Sequence, residues 1–146
     1  MQQVYSLNRM NAVTRPFCEK MEKLYQEADM ALTRAGAGTL FELALFGLPA
    51  VVLPYPHVEG HQEINARCFE KEGAISLTFE KGCTPEILKE KVLELVNLPT
   101  LRNRLRENLI RISKPEAAEK LAVGIEDLLQ SKPQNMVGEL EHATRP

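Results

Sequence analysis

The chain has 146 residues, 44% hydrophobic and 26% charged, with a formal net charge of −2. That length accommodates one domain with a core, and the balanced charge gives no basic field for nucleic acid. The longest apolar stretch, Leu43 to Tyr55, is broken by Gly47, Pro49 and Pro54 and is too short to span a bilayer; the first residues have no apolar secretion-signal segment.

Residues 1–15 have no clear period and read as the lead-in of a truncated domain. Pro16 suits the first position of a helix. Phe17, Met21, Leu24, Tyr25 and Ala28 follow at helical spacing, which predicts an amphipathic helix. Asp29 to Thr33 predicts a buried parallel strand. Arg34-Ala35-Gly36-Ala37-Gly38 is a turn leading into a helix over about Thr39–Phe46, which Gly47 stops. Ala50 to Pro54 predicts a second buried strand. A helix from about His61 to Glu72 carries Ile64, Ala66, Cys68 and Phe69 as apolar positions, and Ala74 to Thr78 is a third strand. Thr84-Pro85 reads as an N-cap followed by proline at the first helical position, and Leu98-Pro99-Thr100 separates that helix from a basic one over about Thr100–Ile112. Lys114-Pro115-Glu116 opens a last helix with Ala117, Leu121, Ile125, Leu128 and Leu129 on one face. From Ser131 the sequence turns polar, and a disordered tail over 131–146 is expected. Strands alternating with helices predict an α/β layer with a parallel sheet, the second half of a doubly wound domain.

Several features bear on chemistry. Gly36 and Gly38 leave backbone N–H groups approachable where a helix starts, an arrangement that suits a phosphate. The spacing is not GxGxxG, since Phe41 stands at the third glycine position, so a tight turn without a ligand remains an equal reading. Glu42 is the only charged residue in its helix. Thr39-Leu40-Phe41-Glu42 matches a capping box; the other reading is a carboxylate that accepts hydrogen bonds from a ribose diol. His57 and His61 are four apart, but Pro56 and Gly60 oppose a continuous helix and HVEGH lacks the acid of HExxH, so a metal is disfavoured. Polar groups here, after a strand, suit a polar ligand or ordinary capping.

Cys18, Cys68 and Cys83 form no CxxC pair, which indicates neither a zinc ribbon nor a redox motif and fits a reducing compartment. Cys68 reads as packing within its helix. Arg102, Arg104, Arg106 and Arg111 are interleaved with acids and apolar residues and read as a solvated helix face.

Taken together, Ala28-Asp29, Arg34-Ala35-Gly36-Ala37, Thr39-x-x-Glu42, Gly47-Leu48-Pro49-Ala50, Pro54-Tyr55-Pro56-His57, His61-Gln62 and Asn65-Ala66 resemble the donor-binding half of glycosyltransferase family 28. The likeness is to its MurG-like lipid I N-acetylglucosaminyltransferases and covers about residues 15–130. It implies a partial Rossmann-like C-terminal domain of a GT-B enzyme, with UDP-sugar binding over 16–130. It implies that Glu42 holds the uridine ribose hydroxyls. The backbone of Gly36, Ala37, Gly38 and Thr39 would face the diphosphate, and His61 and Gln62 would contact the N-acetylglucosamine. Phe17 and Cys18 match a segment near the uracil, contacting it partly through backbone. Two departures stand out: Ala35 where the family often has serine, and His61 where some members have glutamine.

The resemblance further implies an N-terminal domain that binds the lipid-linked acceptor and supplies the base. No catalytic residue is then expected in this chain, which alone should be inactive. No metal or cofactor is implied, because the helix dipole and backbone N–H groups offset the leaving diphosphate's charge. The full enzyme would convert lipid I to lipid II for peptidoglycan, cytoplasmic and peripheral on the inner face of the bacterial plasma membrane. The alternatives are another family 28 lipid glycosyltransferase, such as a diacylglycerol galactosyltransferase, and a non-catalytic binding subunit of a split transferase.

Overall fold

The structure is a computed structural model that describes residues 5, 7–56 and 60–131. It divides into two units at Ile112/Ser113. The first is a three-stranded parallel sheet in the order β1 (Ala31–Thr33), β2 (Ala50–Val52), β3 (Ser76–Leu77). Its helices are α1 (Met21–Glu27), α2 (Ala37–Phe46), α3 (His61–Lys71), α4 (Pro85–Asn97) and α5 (Pro99–Ile112). The register pairs Leu32 with Val51 and Val51 with Ser76, so these three share one face.

Alternation along β2 generates two cores. Ala50 and Val52 join Leu40, Leu43 and Ala44 of α2, Ala66 and Phe69 of α3 and Leu109 of α5. Val51 points the other way, against Leu95 of α4 and Leu105 of α5. The second predicted strand is therefore buried as expected, with every residue of β2 covered. β1 is not: it is an edge strand, and Leu32 is 52% exposed. The helices over Val51 do not reach across to its neighbour in the sheet.

The first helix is shorter than its periodicity predicts. It begins at Met21, not near Pro16, and residues 8–20 are irregular. Only Tyr25 and Ala28 of this segment pack on the core, whereas Phe17 is 78% exposed. A short helix needs tertiary packing to form, and among the described residues no core contact anchors the predicted first turn. On α3 the stripe Ala66–Phe69 is buried while Ile64 and Cys68 are exposed, so Cys68 does not serve as packing. The predicted N-cap of α4 is present: Thr84 Oγ1 accepts from Ile87 N at 3.4 Å, with Pro85 at the first position.

The basic helix α5 is not merely a solvated face. Arg102 Nη1 donates to the carbonyls of Leu95 and Val96 at the end of α4. Arg106 Nε donates to Gly47 O at 3.2 Å, just past α2. Asn108 donates to Gly73 O and Arg111 to Glu72 O and Oε2, just past α3. Cationic donors thus meet the carbonyl-rich, negative ends of three helices.

The second unit contains α6 (Ala117–Ser131), which has no buried residue. Leu121, Leu128 and Leu129 on its predicted apolar face are 66–68% exposed. α6 runs through Ser131; the tail expected beyond it lies outside the described residues.

Gly47 ends α2 at φ 57°, and a Cβ there would sit 2.9 Å from Ile110 Cγ1 and 3.2 Å from Arg106 Cγ. Gly47→Ala is therefore expected to lower the unfolding free energy by about 2–3 kcal/mol, from left-handed strain together with overpacking against α5. Urea denaturation measures it, and a loss below about 0.5 kcal/mol, the size of an ordinary surface substitution, would contradict this account of the α2–α5 contact.

Candidate functional site

In a parallel sheet all strands end on one side, and there the following helices begin. α2 starts at Ala37 just after β1, and α3 starts at His61 after β2. Both helix N-termini, with their free N–H groups, therefore lie along the C-terminal edge of the sheet.

The turn into α2 does not require its glycines. Gly36 has φ −63° and ψ 136°, accessible to any residue. Among the described residues, a Cβ on Gly36 would meet only Thr39 Oγ1 at 3.7 Å, an ordinary contact, and one on Gly38 would meet nothing within 4 Å. Gly38 is exposed inside the first turn of a helix, where glycine is less favourable than alanine by about 0.5–1 kcal/mol. The turn after β1 is therefore open to other residue types at both positions. What the two glycines provide is open space over backbone N–H groups.

The capping box is absent as well. The N-cap of α2 is Gly36, with no side-chain cap bond, and Thr39 lies at the third helical position. The helix starts two residues earlier than predicted, which moves Thr39 past the cap. Glu42 is exposed, and its Oε2 accepts from Tyr25 Oη at 2.9 Å. Along the helix it stands one turn beyond Gly38, on the same strip. Burial first, then the Glu42 carboxylate, pushes the Tyr25 phenol up to about 12.

Gln62, at the start of α3, fastens the edge together. Its Oε1 accepts from Ala35 N at 3.1 Å and from Tyr55 N at 2.9 Å. Two backbone donors fix that atom as the carbonyl oxygen, so the amide nitrogen is the other end of the side chain. Asn65 Nδ2 donates to Ala35 O at 3.2 Å. Both backbone groups of Ala35, a fully buried residue, are therefore held by α3.

Arg34 was not singled out for chemistry from the sequence, although it is the only lysine or arginine between Lys23 and Arg67. Its Nη1 donates to Glu80 Oε2 at 2.8 Å and to the carbonyls of Leu53 and Pro54. Its guanidinium lies 5.4 Å from the Tyr55 ring centroid. One side chain thus links the segments that follow all three strands. At 45% exposure on each side, the ion pair itself adds little stability, and its value is geometric.

The other expected site residues are placed as follows. His61 is exposed at the first position of α3. Phe17 is exposed and Cys18 half-buried; with Arg15, Lys20, Leu24 and Glu27 they line a groove of about 530 Å³ beside α1. His57 lies outside the described residues. Among the described residues no three His, Cys, Asp or Glu side chains converge as metal ligands, and no helix is long and apolar enough to cross a membrane.

Residues 1–121 match the family described as the glycosyltransferase family 28 C-terminal domain. The chain is 40% identical over 129 residues to a protein of Nostoc sp. named UDP-N-acetylglucosamine--N-acetylmuramyl-(pentapeptide) pyrophosphoryl-undecaprenol N-acetylglucosamine transferase; the match takes in 87% of this chain and 36% of that protein. A Thermoanaerobacter sp. protein of the same name is 41% identical over 107 residues, covering 73% of this chain and 29% of its own length. The chain thus spans about a third of the curated relatives it matches. The crystal structure of Acinetobacter baumannii MurG superposes with a TM-score of 0.68 at 31% identity, over 90% of this chain and 39% of that one. An open parallel sheet with helix N-termini gathered at one edge, matched by sequence over most of its length, places this chain in the glycosyltransferase family 28 C-terminal domain family.

Proposed function

We propose that this chain is the UDP-N-acetylglucosamine-binding part of a MurG-like glycosyltransferase that converts lipid I to lipid II in peptidoglycan synthesis. The observation that carries the reading is Gly38: an exposed helical glycine that no contact among the described residues requires. It lies one turn from an exposed carboxylate, Glu42, on a helix that begins at the C-terminal edge of the sheet. The diphosphate sits against the backbone N–H groups of Gly36, Ala37, Gly38 and Thr39, where the helix dipole offsets its charge. Glu42 accepts from the ribose hydroxyls. The Gln62 amide nitrogen donates to a sugar hydroxyl, and His61 flanks the same group. Phe17 and Cys18 border the uracil.

The acceptor is a lipid-linked muramoyl-pentapeptide, held by a separate domain that also supplies the base. The assembled enzyme then works on the cytoplasmic face of the plasma membrane without crossing it. During transfer, the N–H groups at the start of α2 stabilise the leaving UDP, and no side chain of this chain exchanges a proton with the acceptor.

Titration calorimetry of the chain with UDP, UDP-N-acetylglucosamine and UDP-galactose tests the reading. UDP-N-acetylglucosamine is expected to bind more tightly than UDP-galactose; the reverse order would favour a galactosyltransferase of the same family. Gly38→Ala is expected to raise stability by about 0.4–1 kcal/mol. The same variant is expected to weaken UDP by about 10-fold or more, equivalent to about 1.4 kcal/mol. Unchanged UDP affinity in this variant would contradict the diphosphate position.

Gln62→Leu removes the acceptor for two backbone N–H groups, one of them on fully buried Ala35. Its expected cost is about 2 kcal/mol in denaturant unfolding. Gln62→Glu retains the acceptor oxygens and is expected to preserve stability. Equal losses in the two variants would mean that the side-chain carbonyl does not hold the two loops together.

A further inference from the structure

We infer that Tyr25 is a positioning residue for the donor: its phenol holds one oxygen of the Glu42 carboxylate so that the other faces the ribose diol. This rests on the ribose role of Glu42 given above and adds a residue to it.

Three observations meet at this contact. Tyr25 Oη donates to Glu42 Oε2 at 2.9 Å, across the interface between α1 and α2. The Tyr25 ring is fixed independently of that bond, tilted against Phe46 with centroids 5.4 Å apart and packed on the main core. Glu42 is itself exposed, and among the described residues its carboxylate has no other hydrogen bond.

An exposed glutamate samples many rotamers, and ordering one on binding costs conformational entropy. A carboxylate pinned at one oxygen by a rigid phenol has already lost much of that freedom. The proton inventory fits the role. An ionised carboxylate only accepts, so its partner must be a donor. With its ionisation displaced to about 12, the phenol stays protonated across the physiological range. After the phenol's bond, Oε1 and the second lone pair of Oε2 remain for two ribose hydroxyls.

The contact also ties two parts of the site together. Tyr25 belongs to the same helix as Leu24 and Glu27, which line the groove beside Phe17 and Cys18. Through Tyr25 the position of that helix is coupled to the carboxylate on α2.

The test is a double-mutant cycle on the full chain, with UDP and 2′-deoxy-UDP as probes in titration calorimetry, alongside thermal melts. The wild type is expected to favour UDP. Tyr25→Phe keeps the ring and its packing and removes only the hydroxyl. It is expected to weaken UDP by about five-fold and to narrow the preference for UDP over 2′-deoxy-UDP. In a Glu42→Ala background it should change neither ligand's affinity. Tyr25→Phe weakening both ligands equally, or still weakening UDP without Glu42, would assign Tyr25 a purely structural role and overturn the inference. Glu42→Ala narrowing the preference while Tyr25→Phe leaves it intact would overturn the role of Tyr25 alone. A preference that survives Glu42→Ala, or no saturable UDP binding by the wild type, would overturn the ribose reading and this inference together.

Discussion

The carbonyl oxygen of Gln62 accepts hydrogen bonds from two different strand-to-helix loops, and the rest of the candidate site depends on that junction. Without it the N–H of Ala35 would be a buried donor with no partner, in the turn that presents α2. With it, Ala35 after β1, Tyr55 after β2 and Gln62 at the start of α3 are tied into one unit. Asn65 and Arg34 reinforce the unit from either side, through Ala35 O and through the carbonyls of Leu53 and Pro54. A site that works through backbone N–H groups needs this stiffness, because stabilisation by fixed dipoles requires that they already point at the charge.

The opposite ends of the helices are secured by a different means. The N-terminus of α2 carries no side-chain cap, while the carbonyl ends of α2, α3 and α4 are met by Arg106, Asn108, Arg111 and Arg102 from α5. Donors thus meet the carbonyl ends that their partial charge calls for. The exposed Gly38 fits the same division. It gives up some helix stability in return for access, a trade typical of binding sites.

What could be read from the sequence follows from how far apart the interacting residues are. The Thr84-Pro85 cap and the Gly47 stop are local, and both stand where the residue types put them. The buried run of β2 was legible because every residue in it is apolar. The burial of β1 was not, because exposure of Leu32 depends on whether helices reach across from Val51. On α3, Ile64–Cys68 and Ala66–Phe69 are both apolar pairs at helical spacing, and only tertiary packing selects the second. The misread capping box shows the same limit at a boundary: a helix that begins at Ala37 turns Thr39 from a cap into an interior residue. The contacts that define the site join Tyr25 to Glu42, Ala35 to Gln62 and Arg34 to Glu80, which are 17, 27 and 46 residues apart. No local pattern carries them. The ordered set of motifs located the region, and the geometry then distinguished a carboxylate held by a phenol from a carboxylate used as a cap.

The central claim is that the C-terminal edge of this sheet binds a UDP-sugar through α2 and α3. Amide chemical-shift mapping of the chain during titration with UDP-N-acetylglucosamine tests it most directly. Saturable shifts are expected at Gly36–Thr39, Glu42 and Gln62, with the amides of α5 unmoved. Shifts concentrated instead on the α4–α5 side of the sheet, or none at saturating ligand, would contradict it.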